Sequence, residues 1–271
     1  MSIEVEIFAA LILSLIGVPL THRLLAGLKL RRRNFRGEYI PAGFGILLVI
    51  VAVPVYAVML GHSATGCAGI FLTAVIGFGA VGLIDDVFGS REVGGFTGHI
   101  GLLKKGRVST GLIKAGVGGL LSLLLGTIVA GYRPITGILN GFIIALSANL
   151  LNLLDLRPGR AVSCFWAILL ALFISVSGHA ALTAMMLPII ISAAIITYLD
   201  RSAKVMLGDV GSNVLGGVLG IAMALHLSLV GKVVIAMLMI GVHLYSEKYS
   251  ISGLIERNRV LRSVDRLLGE R

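Results

Sequence analysis

Five aspartates stand at the borders of long apolar runs: Asp85, Asp86, Asp155, Asp200 and Asp209. A carboxylate near a membrane boundary is costly, so such residues usually face a polar cavity. For any one of them, an ordinary solvated helix end is an equally good interpretation. As a set they favour a shared site, because Asp85, Asp86 and Asp209 are embedded in Gly-rich, otherwise apolar sequence rather than in hydrophilic loops.

Two of the surrounding patterns follow helical spacing. Adjacent carboxylates such as Asp85 and Asp86 point about 100° apart on a helix, so one can face a metal ion and the other a substrate. Asn149, Asn152 and Asp155 are spaced by three along one helical stripe. That spacing aims amide oxygens and a carboxylate into a common cavity.

A third pattern is the segment Gly208-Asp209-Val210-Gly211-Ser212. We expect Asp209 to be a helix N-cap, and the glycines to let a phosphate or metal approach the backbone at the positive end of that helix. Plain capping, with no ligand, is the alternative. If the three patterns meet, they form one site for a metal ion and a polyanion.

Basic residues accompany these acids: Lys114, Arg157, Arg160 and Lys204. Each alone is explained by membrane topology. Together with the aspartates they suit a diphosphate neutralised partly by Mg²⁺ and partly by Lys and Arg.

The elements that must position these residues are membrane-spanning helices. Of the 271 residues 57% are apolar and 13% charged, with a mean hydropathy of +1.00. A helix of about 20 apolar residues crosses a bilayer. The fold class is therefore all-α, a polytopic transmembrane bundle of about nine spans with cytosolic loops. The predicted spans are 3–21, 41–60, 64–84, 112–131, 134–153, 161–177, 180–199, 209–228 and 231–246.

Charge placement predicts the orientation. With the N-terminus outside, all but Arg133 and Lys232 of the 23 Lys and Arg residues fall on the cytoplasmic side, where basic residues concentrate. The five aspartates then face the cytosol as well. The net charge of +10 is explained by this topology and by attraction to anionic lipid and phosphate, and we expect no nucleic-acid binding.

Residues 1–246 are predicted to form a transmembrane catalytic domain, and residues 247–271 a cytosolic amphipathic tail. The tail has apolar residues at helical spacing from Ile251 to Leu268, which indicates one helix lying in the membrane interface. Gly216 and Gly220 form a pattern suited to tight helix packing, within the protein or between the chains of a homodimer.

Five motifs resemble the polyprenyl-phosphate N-acetylhexosamine-1-phosphate transferase superfamily, which includes phospho-N-acetylmuramoyl-pentapeptide transferases. They run in order along nearly the whole chain: Asn34-Phe-Arg36-Gly37 through Pro41; Gly82 to Asp86; Thr110 to Lys114; Asn149 to Asp155; and Ala203 to Ser212. Each is modest alone. Their order and shared membrane side make the resemblance specific.

The resemblance implies that Asp209 and Asn152 help hold Mg²⁺. It further implies that Asp85 or Asp86 orients or deprotonates a lipid phosphate and that Lys114 contacts the donor phosphates. The implied reaction transfers a sugar 1-phosphate from a UDP-sugar to polyprenyl (undecaprenyl) phosphate. It releases UMP at the cytosolic face of a bacterial inner membrane, for cell-envelope glycan synthesis.

Two departures leave the donor open. Where many members of that superfamily have a Gly-x-Asp-Gly stretch, this chain continues from Asp155 with Arg157 and Arg160. Where they have a histidine cluster, it has His243 with Glu247. These departures motivate one alternative, a non-catalytic member that binds lipid phosphate. An ion-coupled transporter or flippase is the other alternative, because carboxylates within the membrane also mark such carriers.

The sequence thus predicts three groups of site residues. The catalytic group is Asp85, Asp86 and Asp155, and the metal ligands are Asn152 and Asp209. The substrate-binding group is Lys114, Asn149, Arg157, Arg160, Lys204 and His243.

Overall fold

The computed structural model describes residues 2–62, 66–89, 110–176 and 179–269. Within these ranges the regular secondary structure is helical apart from one short antiparallel hairpin and an isolated bridge between Ala42 and Met206. In chain order the elements are α1 (Ile3–Gly27), β1 (Arg31–Arg33), β2 (Tyr39–Pro41), α2 (Ile46–His62), α3 (Cys67–Phe88), α4 (Thr110–Val129), α5 (Pro134–Leu154), α6 (Arg160–Ser175), α7 (His179–Arg201), α8 (Gly208–His226), α9 (Leu229–Lys248), α10 (Ile251–Arg257) and α11 (Arg259–Leu268).

The predicted all-α polytopic membrane bundle is confirmed, since each predicted span coincides with one of the helices α1 to α9. Seven helices of the described residues are long and apolar enough to cross a membrane. The apolar helices Ile46–Gly61 and Arg160–Ser175 are shorter. At 1.5 Å per residue, a helix of 16 residues is only about 24 Å long, so the count of nine full spans stays a prediction.

Some predicted features fall outside the described residues. They are the basic residues Arg91, Lys104, Lys105, Arg107 and Arg271, and the span boundaries predicted at residues 64 and 177. The division of the chain at residue 246 also stays a prediction.

Helix α8 is the centre of the bundle and is buried from Val210 to Ala224. It packs most extensively against α5 and α3. Close contact with α5 is made at Gly216 and Gly220, where an added Cβ would meet the backbone of Ala148 and Ile144. These two glycines therefore serve packing within one chain, and the predicted homodimer has no support from them.

The long helices alternate in direction along the chain. The C-terminal end of one helix and the N-terminal end of the next therefore lie at the same end of the bundle. The C-terminal ends of α3, α5, α7 and α9 meet the N-terminal ends of α4, α6 and α8 there. All five aspartates lie at this end.

A hairpin that the sequence did not predict follows α1. Strands β1 and β2 pair antiparallel, with Arg32 opposite Ile40. Asn34 closes the turn: its Oδ1 accepts from the backbone N–H groups of Arg36 (2.9 Å) and Glu38 (3.0 Å). Its Nδ2 donates to the carbonyl of Ala203 at 3.2 Å, which docks the hairpin beside the entry to α8. Asn34 therefore has a structural role, which is to close the hairpin turn and to hold the hairpin against the segment before α8.

The single amphipathic helix predicted over residues 251–268 is wrong in one respect, because the tail forms two helices. Asn258 has an extended backbone, and its Oδ1 accepts from the N–H groups of Val260 (2.9 Å) and Leu261 (3.1 Å). An asparagine in this role starts a new helix. The break lets α11 fold back towards the start of α6.

Candidate active site

Lys114 lies at the centre of a cluster built from three helices. Its Nζ donates to Asp85 Oδ2 of α3 at 2.9 Å and to Asp209 Oδ2 of α8. The side chains of Lys114, Asp85 and Asp209 are 15%, 19% and 28% exposed, so the cluster is mostly buried and still accessible. One lysine ammonium and two carboxylates together carry a net charge of −1, which a further cation can balance.

Asn152 of α5 completes this cluster. Its amide is oriented so that the oxygen accepts from Lys114 Nζ (3.1 Å) and the nitrogen donates to Asp209 Oδ1 (3.0 Å) and to Ser212 Oγ (3.2 Å). This orientation is assigned from the hydrogen-bond network, since it satisfies both ends of the amide. The structure thus brings together Asp85, Lys114, Asn152 and Asp209, which lie up to 124 residues apart in the chain.

Asp86 has a different environment from its neighbour Asp85. It is buried, and its Oδ1 and Oδ2 accept from the backbone N–H groups of Asp209 (3.1 Å) and Val210 (3.0 Å). These are orphan donors of the first turn of α8. Asp86 therefore caps α8 from another helix.

The predicted N-cap role of Asp209 is wrong for the same reason. Asp209 lies in the first turn of α8, the residue before the helix is Leu207, and no side chain of that residue caps it. The amides that a phosphate was expected to approach are bound to Asp86. The Asp209 carboxylate is left to Lys114 and Asn152.

Glycine at 208 and at 82 makes this arrangement sterically feasible. Gly208 has a φ of +75°, and an added Cβ there would lie 2.6 Å from Gly43 Cα and 2.8 Å from Asp86 Oδ2. At Gly82 an added Cβ would lie 2.5 Å from Val210 Cα. The glycines thus admit protein backbone and the Asp86 carboxylate, rather than leaving room for a ligand.

Asp155 follows the last residue of α5 as its C-cap, and its carboxyl interacts electrostatically with Asp209 of the cluster. Burial raises the pKa of the Asp155 carboxyl well above its ordinary value, although the residue as a whole keeps some exposure. The carboxylates of Asp200, Asp209 and Asp86 raise this pKa further, and a hydrogen bond from the Gly208 backbone offsets part of the effect. Asp155, which lies outside the spanning segments, is therefore disposed to hold a proton.

Arg32 of β1 is a site residue that the sequence interpretation missed. Its Nη2 donates to the backbone carbonyl of Asp86 at 3.4 Å, and its charge acts on the carboxylates of both Asp85 and Asp86. The signal in the sequence is the run from Arg31 to Arg33, which membrane topology by itself also explains. Only the strand register singles out the middle residue.

The other predicted substrate residues lie outside the Lys114 cluster. Asn149 and Lys204 are exposed, and the ammonium of Lys204 lies over the ring of Tyr198. His243 Nδ1 donates to the carbonyl of Met239 at 2.7 Å, and its Nε2 is buried without a hydrogen-bond partner among the described residues.

Arg157 and Arg160 are engaged by the tail. Arg157 pairs with Glu256 of α10 in an exposed ion pair. Arg160, only 4% exposed, pairs with Asp265 of α11. The two arginines of the loop of residues 155–160 therefore pair with the tail. Asp155, in the same loop, interacts electrostatically with the carboxylates of Asp86, Asp200 and Asp209.

A cavity of about 80 Å³ lies between α3 and α4 beside the cluster. Its walls are almost entirely apolar, formed by Val81, Ile84, Ile113 and Val117, and Asp85 and Lys114 are its remaining lining residues. An apolar groove that also borders a charged pair suits an amphiphile with an anionic head.

The donor set is compatible with Mg²⁺, although no three His, Cys, Asp or Glu side chains group as metal ligands within the described residues. Mg²⁺ is commonly held by one or two carboxylates together with substrate phosphates and waters. Asp209 supplies a hard oxygen donor of this kind. Asn152 supplies a second one when its amide is turned over, so that the oxygen instead of the nitrogen faces Asp209. Lys114 holds the matching positive charge between the carboxylates.

No protein-family model matches the chain. The chain is similar to a phospho-N-acetylmuramoyl-pentapeptide-transferase of Heliobacterium modesticaldum, with 28% identity over 227 residues. The match covers 74% of this chain and 66% of that protein, so the chain spans just under two thirds of its relative's length. This similarity agrees with the resemblance seen in the motifs.

Proposed function

We propose that this protein is a polyprenyl-phosphate sugar-1-phosphate transferase with its active site at the end of the bundle that carries the aspartates. The observation that supports this best is the Lys114 cluster, where Asp85, Asn152 and Asp209 from three helices converge beside an apolar groove. Such a site has an acidic side for a metal ion, a basic side for phosphate and an apolar side for a prenyl chain.

The phosphates of the two substrates have identifiable partners. Lys114 pairs with both Asp85 and Asp209, and Arg32 donates to the backbone carbonyl of Asp86 and acts by its charge on Asp85 and Asp86. We assign the donor diphosphate to Lys114 and the lipid phosphate to the region between Asp85 and Arg32. Asp86 acts through α8, whose first turn it holds in place.

The reaction is an in-line displacement. An oxygen of the lipid phosphate forms a bond to the β-phosphorus of the nucleotide sugar, and the bond from that phosphorus to the oxygen bridging it to the α-phosphorus breaks. UMP leaves with the bridging oxygen, and the lipid diphosphate sugar remains. A phosphate monoester with a second pKa near ~6 is largely dianionic at pH 7, so positioning and charge neutralisation outweigh general-base catalysis.

The cofactor we propose is Mg²⁺, which would be held by Asp209 and by Asn152, whose amide would turn its oxygen from Lys114 towards the ion. When bound, it supplies neutralisation of the diphosphate charge. The residues of the chain contribute the rest: Lys114 contacts phosphate oxygens, and Asp85 orients Lys114.

The finer assignments belong to the same proposal. The donor is a UDP-N-acetylhexosamine, the acceptor is undecaprenyl phosphate, and the product serves cell-envelope glycan synthesis in a bacterial inner membrane. The active site faces the cytosol, in keeping with the basic residues at the same end of the bundle.

The test is release of UMP by the purified protein from a panel of UDP-N-acetylhexosamines offered with undecaprenyl phosphate. Release that needs both lipid and Mg²⁺ is the expected result. Binding of the lipid phosphate without release from any donor would support the non-catalytic alternative. Release without lipid would contradict the transfer reaction.

Asp209→Asn is the decisive variant in this assay. We expect it to lower turnover at least ~100-fold, because it removes a charged metal ligand from the transition state, while the protein stays folded in detergent. Glu4→Gln is the matched control. Glu4 is an exposed carboxylate in the first turn of α1, at the end of the bundle opposite to the Lys114 cluster. Full activity of Asp209→Asn would refute the metal assignment.

A further inference from the structure

Helix α11 carries an exposed apolar face. Its sequence has apolar residues on one side of the helix and arginines on the other, with Asp265 at the border between them. The apolar side chains are exposed in the structure: Val260, Leu261, Val264 and Leu267. The arginines opposite them are Arg259, Arg262 and Arg266.

The position and charge of α11 indicate what covers this face. The helix begins 11 residues after the end of α9, at the bundle end where the basic residues collect. A short helix with an apolar face and a basic face is the kind that lies at the headgroup level of an anionic membrane, with its apolar side buried. The complementary partner is therefore an anionic lipid surface.

Asp265 connects this helix to the loop of residues 155–160. Arg160 Nε donates to Asp265 Oδ1 at 2.5 Å, and Arg160 Nη2 donates to Asp265 Oδ2 at 2.9 Å. Arg160 Nη1 also donates to Ser252 Oγ of α10 at 2.8 Å. Both members of the ion pair are buried. A bidentate pair of this kind fixes the geometry of its two carriers as well as holding them together.

Two further contacts extend the connection to the entry of α8. Arg201 Nη2 donates to the carbonyl of Leu267 at 2.5 Å. Asp200, the neighbour of Arg201, accepts from the Gly159 N–H at 2.7 Å and from the Leu207 N–H at 3.2 Å. The loop and the residue that precedes α8 therefore share one carboxylate.

We propose that α11 docks its apolar face on the anionic surface of the membrane, and that the Asp265–Arg160 ion pair couples this docking to the loop of residues 155–160, which docking then holds more rigidly in its observed position. Asp265 and Arg160 are positioning residues in this arrangement. Neither the docking nor the rigidity of the loop depends on transferase activity.

The docking is tested with spin labels on the full-length protein in nanodiscs. Cys67 and Cys164 are first replaced by alanine, and one label is placed at Val264→Cys and, as the matched control, one at Ser263→Cys on the polar side. In discs that contain phosphatidylglycerol, the label at 264 is expected to be accessible to oxygen and shielded from a water-soluble nickel chelate. The label at 263 is expected to show the reverse.

Two outcomes would overturn the docking. Equal access of the nickel chelate to both labels would leave α11 in water. Shielding of the label at 264 from both reagents would indicate a protein partner in place of lipid.

The coupling is tested by amide hydrogen exchange of residues 155–160. Asp265→Asn is expected to speed exchange at the Gly159 amide about tenfold or more, because it leaves Arg160 buried without its charge partner. Glu256→Gln is the matched control, since it breaks only the exposed pair with Arg157 and should leave exchange unchanged. Unchanged exchange in Asp265→Asn would refute the coupling.

A measurement on the unaltered protein covers the case in which Asp265→Asn does not fold. Exchange at Gly159 is compared in nanodiscs of phosphatidylcholine alone and of phosphatidylcholine with phosphatidylglycerol. Slower exchange with the anionic lipid is expected. The same rate in both lipids would overturn the proposal.

Discussion

At the scale of single residues, the adjacent carboxylates of Asp85 and Asp86 have different hydrogen-bond partners and therefore different roles. Asp85 faces a lysine side chain, whereas Asp86 accepts from two backbone amides of α8. A carboxylate bound to buried amides is committed to holding a helix end. One bound to a half-buried lysine can exchange that partner for a substrate phosphate or a metal ion. Asp85 is therefore the better candidate for direct contact with substrate.

The two residues differ in their expected effect on stability. Asp86→Ala leaves two amide donors of α8 without an acceptor, at a cost of about 1–3 kcal/mol for each donor that stays buried. In Asp85→Ala, Lys114 keeps Asp209 and Asn152. We expect a lower unfolding temperature for Asp86→Ala than for Asp85→Ala in detergent. The change can be followed with a thiol-reactive dye at Cys67 and Cys164. Equal unfolding temperatures would contradict the capping role.

Asp155 gives a pH-dependent prediction. Its raised pKa means that the folded protein holds this proton more tightly than the unfolded chain does. Ionisation of Asp155 therefore costs stability as the pH rises above the ordinary carboxyl value of about 4 and through the raised value. Asp155→Asn removes this cost, so we expect its gain in unfolding temperature over the parent protein to grow with pH. A gain that is the same at all pH values would argue against the shift.

At the scale of elements, the hairpin and the entry to α8 are built as one unit. The backbone N–H groups of Phe44 and Gly45 donate to the carbonyls of Met206 and Leu207, each at 2.9 Å. The segment after β2 is thus bonded to the segment before α8. This pairing places Arg32 beside Asp85 and Asp86. Arg33 lies on the exposed face of the hairpin, where its guanidinium stacks on the ring of Tyr39.

Arg32 and Arg33 form a matched pair for mutation. If Arg32 contacts the lipid phosphate, Arg32→Ala removes a charged hydrogen bond worth about 1.5–3 kcal/mol, which is roughly 10- to 150-fold in kcat/KM for the lipid. Arg33→Ala changes the same charge on the same strand and should have little effect. Equal losses in the two variants would indicate a general effect of basic charge at the membrane.

At the scale of the whole molecule, alternating helix directions bring the chemistry to one end of the bundle. The exposed turn between α4 and α5, with Tyr132 and Arg133, lies at the opposite end. We expect this turn to be outside the cell and Ser263 to be inside, because the basic residues concentrate at the end that holds Ser263.

Labelling of single cysteines in intact cells tests this orientation. With Cys67 and Cys164 replaced, Tyr132→Cys should react with a membrane-impermeant maleimide in intact cells. Ser263→Cys should react only after the cells are permeabilised. The reverse pattern would invert the topology and place the proposed active site outside.

The sequence alone determined the helices and the membrane character of the protein, because both depend on local apolar content. Long uncharged runs can satisfy their backbone groups in a bilayer only as helices or closed barrels, and their length marks the bounds of each helix to within six residues. The sequence also pointed to Asp85, Lys114, Asn152 and Asp209, since their elements end at the same side of the bundle.

Tertiary structure decided how these residues are used. Asp86 became a cap for α8, and Arg160 a partner of Asp265, because groups that are 124 and 105 residues apart meet only when the helices pack. Helical spacing places a side chain on one face of its own helix and does not specify what faces it. The partners of a polar group, and with them its role, are therefore decided by the packing of the bundle.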